Sequence, residues 1–312
     1  MDEKIDKNLI NSHDRFFKQL FSGKEEVSEF VAKTFPPELV TNLDLKTLEL
    51  DKTEYIDNNL KTSFSDIVYN CKYGKDTQVK ISLLFEHKSY PESYPHFQLL
   101  GYMLKIWQTQ IKQKQNLTPV IPIIFYHGEK KWNKKPFNDY FKGLDETLQK
   151  FIQVFDYQII DTSNYTDEQI QKLFDSLELQ IGMLIMKNIY NEQKILQEIS
   201  GFFAGINQLL QTEKGEQFFE TLVSYLYYAT KIETQKLVEK MRTISPKAEE
   251  KFISTAMRLK MEGIEKGIKK VAYSMMQENI PDSVILKVTK LSQKELDYLK
   301  SLKEYQIDLE TI

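Results

Sequence analysis

The sequence predicts an α/β chain, with strands and helices alternating through residues 1–165 and helix alone from there on. Three observations carry this. Two runs rich in β-formers, Phe64–Tyr73 and Val79–Lys88, flank the turn residues Gly74, Lys75 and Asp76. A short apolar run bounded by prolines, Pro119–Tyr126, has the composition of a buried strand. From Thr166 onward apolar residues recur at helical spacing.

Taken in order, His13–Phe35 places Phe16, Phe17, Leu20 and Phe21, then Val27, Phe30 and Val31, at helical intervals. This predicts two short helices around Ser22-Gly23, the second stopped by Pro36-Pro37. Asp14 reads first as a cap or first-turn acid, with a share in metal binding as the second choice. Asn42–Asn59 carries no regular pattern and leads into the two strands.

After them, two prolines make a loop. Phe97, Leu100, Met103, Leu104, Trp107 and Ile111 then mark an amphipathic helix on which Gln98 and Tyr102 lie one turn apart. The apolar strand ends at His127-Gly128, followed by a lysine-rich loop containing Trp132. A tryptophan among lysines can stack on a base, but packing explains a single one better. Phe151–Asp161 predicts a further strand.

Residues 166–245 read as a helical region packed on the α/β core, and their apolar stripes as core. Ser245-Pro246 breaks the pattern, and 246–312 reads as a separate helical tail. Gly263 and Gly267 interrupt a charged helix there. Asp282 and Ser283 then offer caps for a helix with Val284, Ile285 and Val288, and Ser292 with Glu295 matches a capping box before Leu296 and Leu299. The result is a hairpin of two short helices, similar in spacing to helix-turn-helix.

The chemistry concentrates in the two strands. Side chains alternate across a strand, so Glu86 and Lys88 share a face that His87 leaves. If the strands pair antiparallel, Asp66 joins them from its neighbour. Two carboxylates can hold a hard divalent cation through oxygen, while a lysine positions or deprotonates the water that attacks a phosphodiester. Oxygen donors favour magnesium over zinc. The bland alternative is a strand-edge aspartate and an exposed ion pair of little energetic consequence. Against it stands the strand context, because lone carboxylates beside apolar strands such as ISLLF and IPIIF are costly unless paired or metal-bound.

Composition narrows the classes. Hydrophobic residues make up 41% and aromatics 12% of 312 residues, which excludes a disordered chain. The single cysteine, Cys71, precludes an internal disulfide and a zinc cluster. The N-terminus lacks an apolar signal core and no run has the length of a membrane span, so a cytoplasmic protein without a membrane partner is expected. Net charge is -3, yet it is unevenly spread. Lys61–Lys135 holds twelve lysines against five acids, whereas Met1–Leu60 holds eight basic against thirteen acidic residues. Positive charge thus surrounds the candidate site, as a phosphate backbone requires. All three arginines lie outside that block, which argues against bidentate reading of guanine. In the tail, Arg258–Glu304 has ten basic and seven acidic residues, compatible with DNA contact or with self-association.

Several of these segments together resemble one family. HDRFFKQLF near the start, SDIVY with Asp66, LLFEHKS with Glu86 and Lys88, PVIPIIFYHG followed by Trp132, and GIEKGIKK with TKLSQKEL in the tail are similar to the Rpn recombination-promoting nucleases. That family, also described as transposases, falls in the PD-(D/E)XK nuclease superfamily. The resemblance implies a restriction-endonuclease-like core, a central mixed sheet flanked by helices, and metal-dependent cleavage of DNA in recombination or mobile-element biology. By position it makes Asp66 and Glu86 ligands of Mg²⁺, with Mn²⁺ or Ca²⁺ as substitutes in vitro, and Lys88 the catalytic lysine. Gln98 falls where the superfamily often has a further polar residue. DNA is the implied partner, with a homodimer through the C-terminal helices as a further expectation. The rival from another class is a non-catalytic DNA-binding or assembly protein that keeps the fold.

Overall fold

Antiparallel pairing of Ser65–Tyr73 (β2) with Thr77–Glu86 (β3) forms the centre of a five-stranded sheet. The connecting turn is tight because Gly74 takes φ +61°, a left-handed conformation that costs a glycine little. The computed structural model describes residues 7–51, 65–75, 77–86, 92–152 and 155–302, and for 7–11, 65–66 and 82–86 the course of the backbone only. Leu43–Leu50 (β1) pairs antiparallel with β2. Val120–Tyr126 (β4) runs parallel to β3, and Gln158–Asp161 (β5) parallel to β4, so the sheet is mixed, in the order β1-β2-β3-β4-β5.

Each face of the sheet has its own cover. Lys7–Phe21 (α1) and Lys24–Thr34 (α2) lie over the face carrying Tyr69 and Phe125. The Tyr69 hydroxyl donates to the Phe21 carbonyl at 2.9 Å. Phe17, Phe21 and Phe30 surround Phe125 with ring centroids 5.5–6.1 Å away. Full burial of a phenylalanine such as Phe125 contributes roughly 1.5–3 kcal/mol. A one-turn helix, Pro37–Val40 (α3), leads to β1. The opposite face packs Val68, Ile124 and Tyr126 against Leu99, Tyr102 and Ile106 of Pro95–Lys112 (α4), the helix of the β3–β4 crossover.

The connection from β4 to β5 contains the helical turn Glu146–Gln149 (α5). Helix then dominates: Asp167–Leu173 (α6), Leu177–Asn188 (α7), Glu192–Phe202 (α8), the turn Ile206–Leu209 (α9), Glu213–Ala229 (α10) and Thr234–Ile244 (α11). Several caps are written in the sequence, among them the Thr166/Gln169 capping box and the Ser176 and Thr212 N-caps. α1 is gripped between these helices and the sheet. Phe16 stacks on Tyr225 at 4.6 Å, and a Cβ at Gly182 would stand 2.8 Å from a Leu20 methyl group, so glycine there lets Leu20 pack against α7 without shifting.

The chain divides into two compact units, 1–248 and 249–312. In the second, the helix Pro246–Gln277 (α12) continues to a hairpin of Asp282–Thr289 (α13) and Gln293–Ser301 (α14). Ala272, Ile285, Leu296 and Leu299 form its small core. The Ser292/Glu295 capping box starts α14, and Lys290 in the left-handed region ends α13.

Several local expectations need correction. Asn42–Asn59 includes a strand, β1, whose Leu-x-Leu pattern is half exposed and so carries little periodic signal. The strand expected over Phe151–Asp161 is only Gln158–Asp161, and Phe151 is largely exposed. On α4 the buried stripe is Leu99, Tyr102, Met103 and Ile106, whereas Phe97, Leu104 and Ile111 face solvent. Asp14 is in the middle of α1 and caps nothing, and α13 begins after Pro281 with no side-chain cap.

Candidate active site

The register of the β2–β3 hairpin sets the geometry. Asp66 pairs with Leu84, and Glu86 follows two residues later, so positions 66, 84 and 86 fall on one face of the sheet. Val68 pairs with Ser82 on the same face and belongs to the cluster under α4, which makes this the α4 face. The parallel register carries the row onward from Glu86 to Tyr126 and from Tyr126 to Asp161.

α4 packs on this face, and contacts at its two ends fix its course. Its C-terminal part is tied to the start of β4, where the Trp107 indole donates to the Thr118 carbonyl at 2.8 Å and Gln110 bonds the Thr118 hydroxyl at 2.8 Å. Its first turn sets His96 against Tyr157 at 5.0 Å, just ahead of β5. Gln98 belongs to that turn. Its amide oxygen is buried and accepts no hydrogen bond among the described residues, an arrangement that costs about 1–3 kcal/mol unless something fills it. The structure thus brings positions 66 and 86 to one end of one face and puts Gln98 on the helix that covers that face. Lys88 lies outside the described residues.

Other acids nearby are engaged differently. Asp161 is buried, and its carboxylate accepts from the Trp132 amide at 3.0 Å and from the Ser163 amide at 2.9 Å, so it holds the loop after β4 in place. Asp14 pairs with Lys18 at 3.2 Å, while its second oxygen is buried without a hydrogen bond among the described residues. Tyr102, paired with Gln98 in the sequence, is a core residue. His13 is also structural, bonded to the Tyr225 hydroxyl at 2.8 Å. His127 binds the Met186 carbonyl through Nδ1 at 3.0 Å. Among the residues whose side chains are described, no three His, Cys, Asp or Glu groups converge in a way that could hold a metal ion. The carboxylates of Asp66 and Glu86 are not among those side chains.

The donor chemistry fits a hard cation. Two carboxylate positions on adjacent strands, under a helix carrying a buried amide oxygen that accepts no hydrogen bond among the described residues, offer oxygen donors. Trp132 is packing, as its neighbours indicate: it is buried edge-on against Tyr126 at 5.1 Å and donates to the Tyr157 hydroxyl at 3.2 Å. Sequence reasoning missed the exposed aromatics of this end, Tyr94 and Phe97, because Phe97 falls in phase with an apolar stripe.

Residues 11–217 match the family described as "Putative transposase, YhgA-like". The chain belongs to this family. Among curated relatives of this YhgA-like chain, recombination-promoting nuclease RpnA of Escherichia coli K12 is 24% identical over 308 residues, covering 93% of this chain and 97% of RpnA. "Inactive recombination-promoting nuclease-like protein RpnE" of the same strain is also 24% identical, over 91% of this chain and 96% of its own length. Recombination-promoting nuclease RpnD of E. coli O157:H7 is 26% identical over 51% of this chain and 61% of its own. No solved structure matches the chain. The Rpn resemblance read from the sequence is therefore borne out at the level of the family. The YhgA-like match takes in the whole of β1–β5 and the α4 face.

Proposed function

We propose that this protein is a Mg²⁺-dependent DNA endonuclease of the PD-(D/E)XK type, acting on cytoplasmic DNA in recombination or mobile-element events. The observation that carries the reading is the shared location of positions 66 and 86 on the α4 face, with Gln98 on the helix that covers it. The names of the relatives add the reaction class.

Asp66 and Glu86 would hold the cation, and Glu86 would orient the attacking water. When bound, Mg²⁺ would supply Lewis acidity and lower the pKa of a water. Lys88 would neutralise charge that develops on the phosphoryl oxygens. Gln98 would accept a hydrogen bond from the attacking water. Supercoiled plasmid should be nicked or linearised with Mg²⁺ and remain intact in EDTA. Retention on DNA without any cleavage, in either Mg²⁺ or Mn²⁺, would instead favour the non-catalytic reading, which the inactive name of RpnE keeps in view.

The second unit supplies a homodimer contact in this reading. Met257, Met261, Ile264 and Val271 are exposed on α12 at heptad-like steps, with half-buried Ile268 between the last two. Arg258 and Glu265, of opposite charge and one heptad apart beside this seam, match in an antiparallel pair of copies. Two copies would present two sites to the two strands. Light scattering of the full chain should report a dimer that Ile264→Glu converts to monomer. A monomeric wild type, or an unchanged dimer in the variant, removes this part.

A further inference from the structure

At the first turn of α4, beside the candidate site, the first unit has a groove of about 540 Å³, within the roughly 300–1,000 Å³ of ligand sites. Its walls include Tyr94, Tyr140, Lys131, Lys135 and Lys142. Tyr94 is 56% and the adjoining Phe97 47% exposed, although burial would stabilise both rings. Tyr94, Phe97 and Tyr140 sit 5.3–6.1 Å apart. This platform is anchored from below. The buried His96, whose imidazole burial pushes below its ordinary pKa, pairs through Nδ1 with the Tyr140 hydroxyl at 3.1 Å.

The three groove lysines are exposed and make no ion pair or hydrogen bond among the described residues. Lys134, by contrast, is committed to Asp156 and the Tyr157 carbonyl. Two wall acids, Glu92 and Asp139, offset part of the groove lysines' charge, and the Glu92 carboxylate accepts from the Ser93 amide at 2.9 Å. Trp132 lines the groove and packs against Tyr126, the register partner of Glu86, which sets the groove beside the proposed cleavage position.

We propose that this groove binds a single-stranded segment of DNA, Tyr94 and Phe97 stacking unpaired bases while Lys131, Lys135 and Lys142 contact phosphates. A duplex keeps its base faces in the stack, so an aromatic platform has something to grip only where bases are unpaired. Lysines without arginine suit phosphate better than base edges. The inference rests on the nuclease reading for DNA as the ligand, and it gives that enzyme a preference for flaps, gaps or melted ends.

The test measures fluorescence anisotropy of labelled oligothymidylate and of a blunt duplex with the full chain in EDTA. Tyr94→Ala/Phe97→Ala should weaken oligothymidylate about tenfold or more, since a stacked base is worth about 1–3 kcal/mol, and leave duplex affinity within about twofold. Lys131→Gln/Lys135→Gln/Lys142→Gln should flatten the slope of log affinity against log salt by about 2, at roughly 0.7 per phosphate. Lys112→Gln/Lys114→Gln, at the far end of α4, should change neither. A wild type that ignores oligothymidylate, or aromatic and lysine variants that bind like wild type with unchanged melting temperatures, overturns the proposal. Plasmid cleavage by those same variants separates the two readings: cleavage with unaltered oligonucleotide binding rejects the groove alone, and groove-dependent binding without cleavage rejects the nuclease alone.

Discussion

Asp66→Ala and Glu86→Ala are each expected to lower plasmid cleavage by about 10²-fold or more, with the fold and DNA affinity retained. In the proposed mechanism each substitution would remove one oxygen donor from the cation and let its water drift, and a displacement of about 1 Å can cost on the order of 10² in rate. The buried residues described on β2 and β3, Ile67, Tyr69, Cys71, Val79 and Ile81 on one face and Val68 and Lys80 on the other, are untouched by either substitution. Thermal melting should therefore move little, and oligonucleotide binding in Ca²⁺ or EDTA should persist. Lys88→Ala should lower turnover more than metal affinity, because its charge acts on the phosphoryl group. Titration of Mn²⁺ by calorimetry distinguishes these effects, with binding lost in the acid variants and kept in the lysine variant. Cleavage at the wild-type rate by either acid variant would falsify the assignment.

The largest effect on stability is expected at the opposite end of the same face. Lys80, buried on β3, forms an ion pair with Asp51 and donates to the Asn70 side chain at 2.8 Å. Both side chains are under a tenth exposed, so neither charge is well solvated by water. Asp51→Ala strands the ammonium and should cost about 3–5 kcal/mol. For a unit of this size that is a fall of about 10 °C in melting temperature. Asp51→Leu with Lys80→Met removes both charges and should recover most of the loss, since a buried pair replaced by apolar groups is often near neutral. If Asp51→Ala melts within about 2 °C of wild type, the pair contributes little and the face is held by packing alone.

The sequence made the centre of this sheet readable because its signals are local. The β2–β3 hairpin has alternating apolar residues and a glycine turn, and β4 is a dense apolar run between prolines, so type and approximate ends follow from spacing. α1 and α2 were equally plain, their phenylalanines repeating at helical steps on one side. β1 was not, because an edge strand with Asp44, Lys46 and Glu49 interleaved among leucines reads as a loop until β2 pairs with it. On α4 the sequence carries apolar residues on more than one stripe, and only the sheet decides which is buried. Asp161 shows the same limit at the site: a strand-end acid in the same row as Glu86 resembles a ligand in sequence, yet backbone amides 3.0 Å and 2.9 Å away occupy it. Gln98 was legible from its place on the helix, one turn from Tyr102, and from the resemblance, whereas the burial of its amide oxygen without a hydrogen bond among the described residues is a property of three dimensions.

The turn at Gly74 bears on the order in which the protein acquires its chemistry. β2 and β3 are joined by only Gly74, Lys75 and Asp76, so the hairpin is the most local part of the sheet, and hairpins close in about 1–10 μs. β4 reaches β3 only after α4 and its flanking loops have been laid down, and such crossovers carry a larger loop-closure cost. Positions 66 and 86 are therefore aligned by an early, short-range event, and the helix that carries Gln98 arrives later. During synthesis the face that carries positions 66 and 86 takes shape while the C-terminal half of the chain is still on the ribosome. A slip of one residue in that hairpin would send its apolar set to the wrong face, so register there is decided by burial before the rest of the chain can influence it.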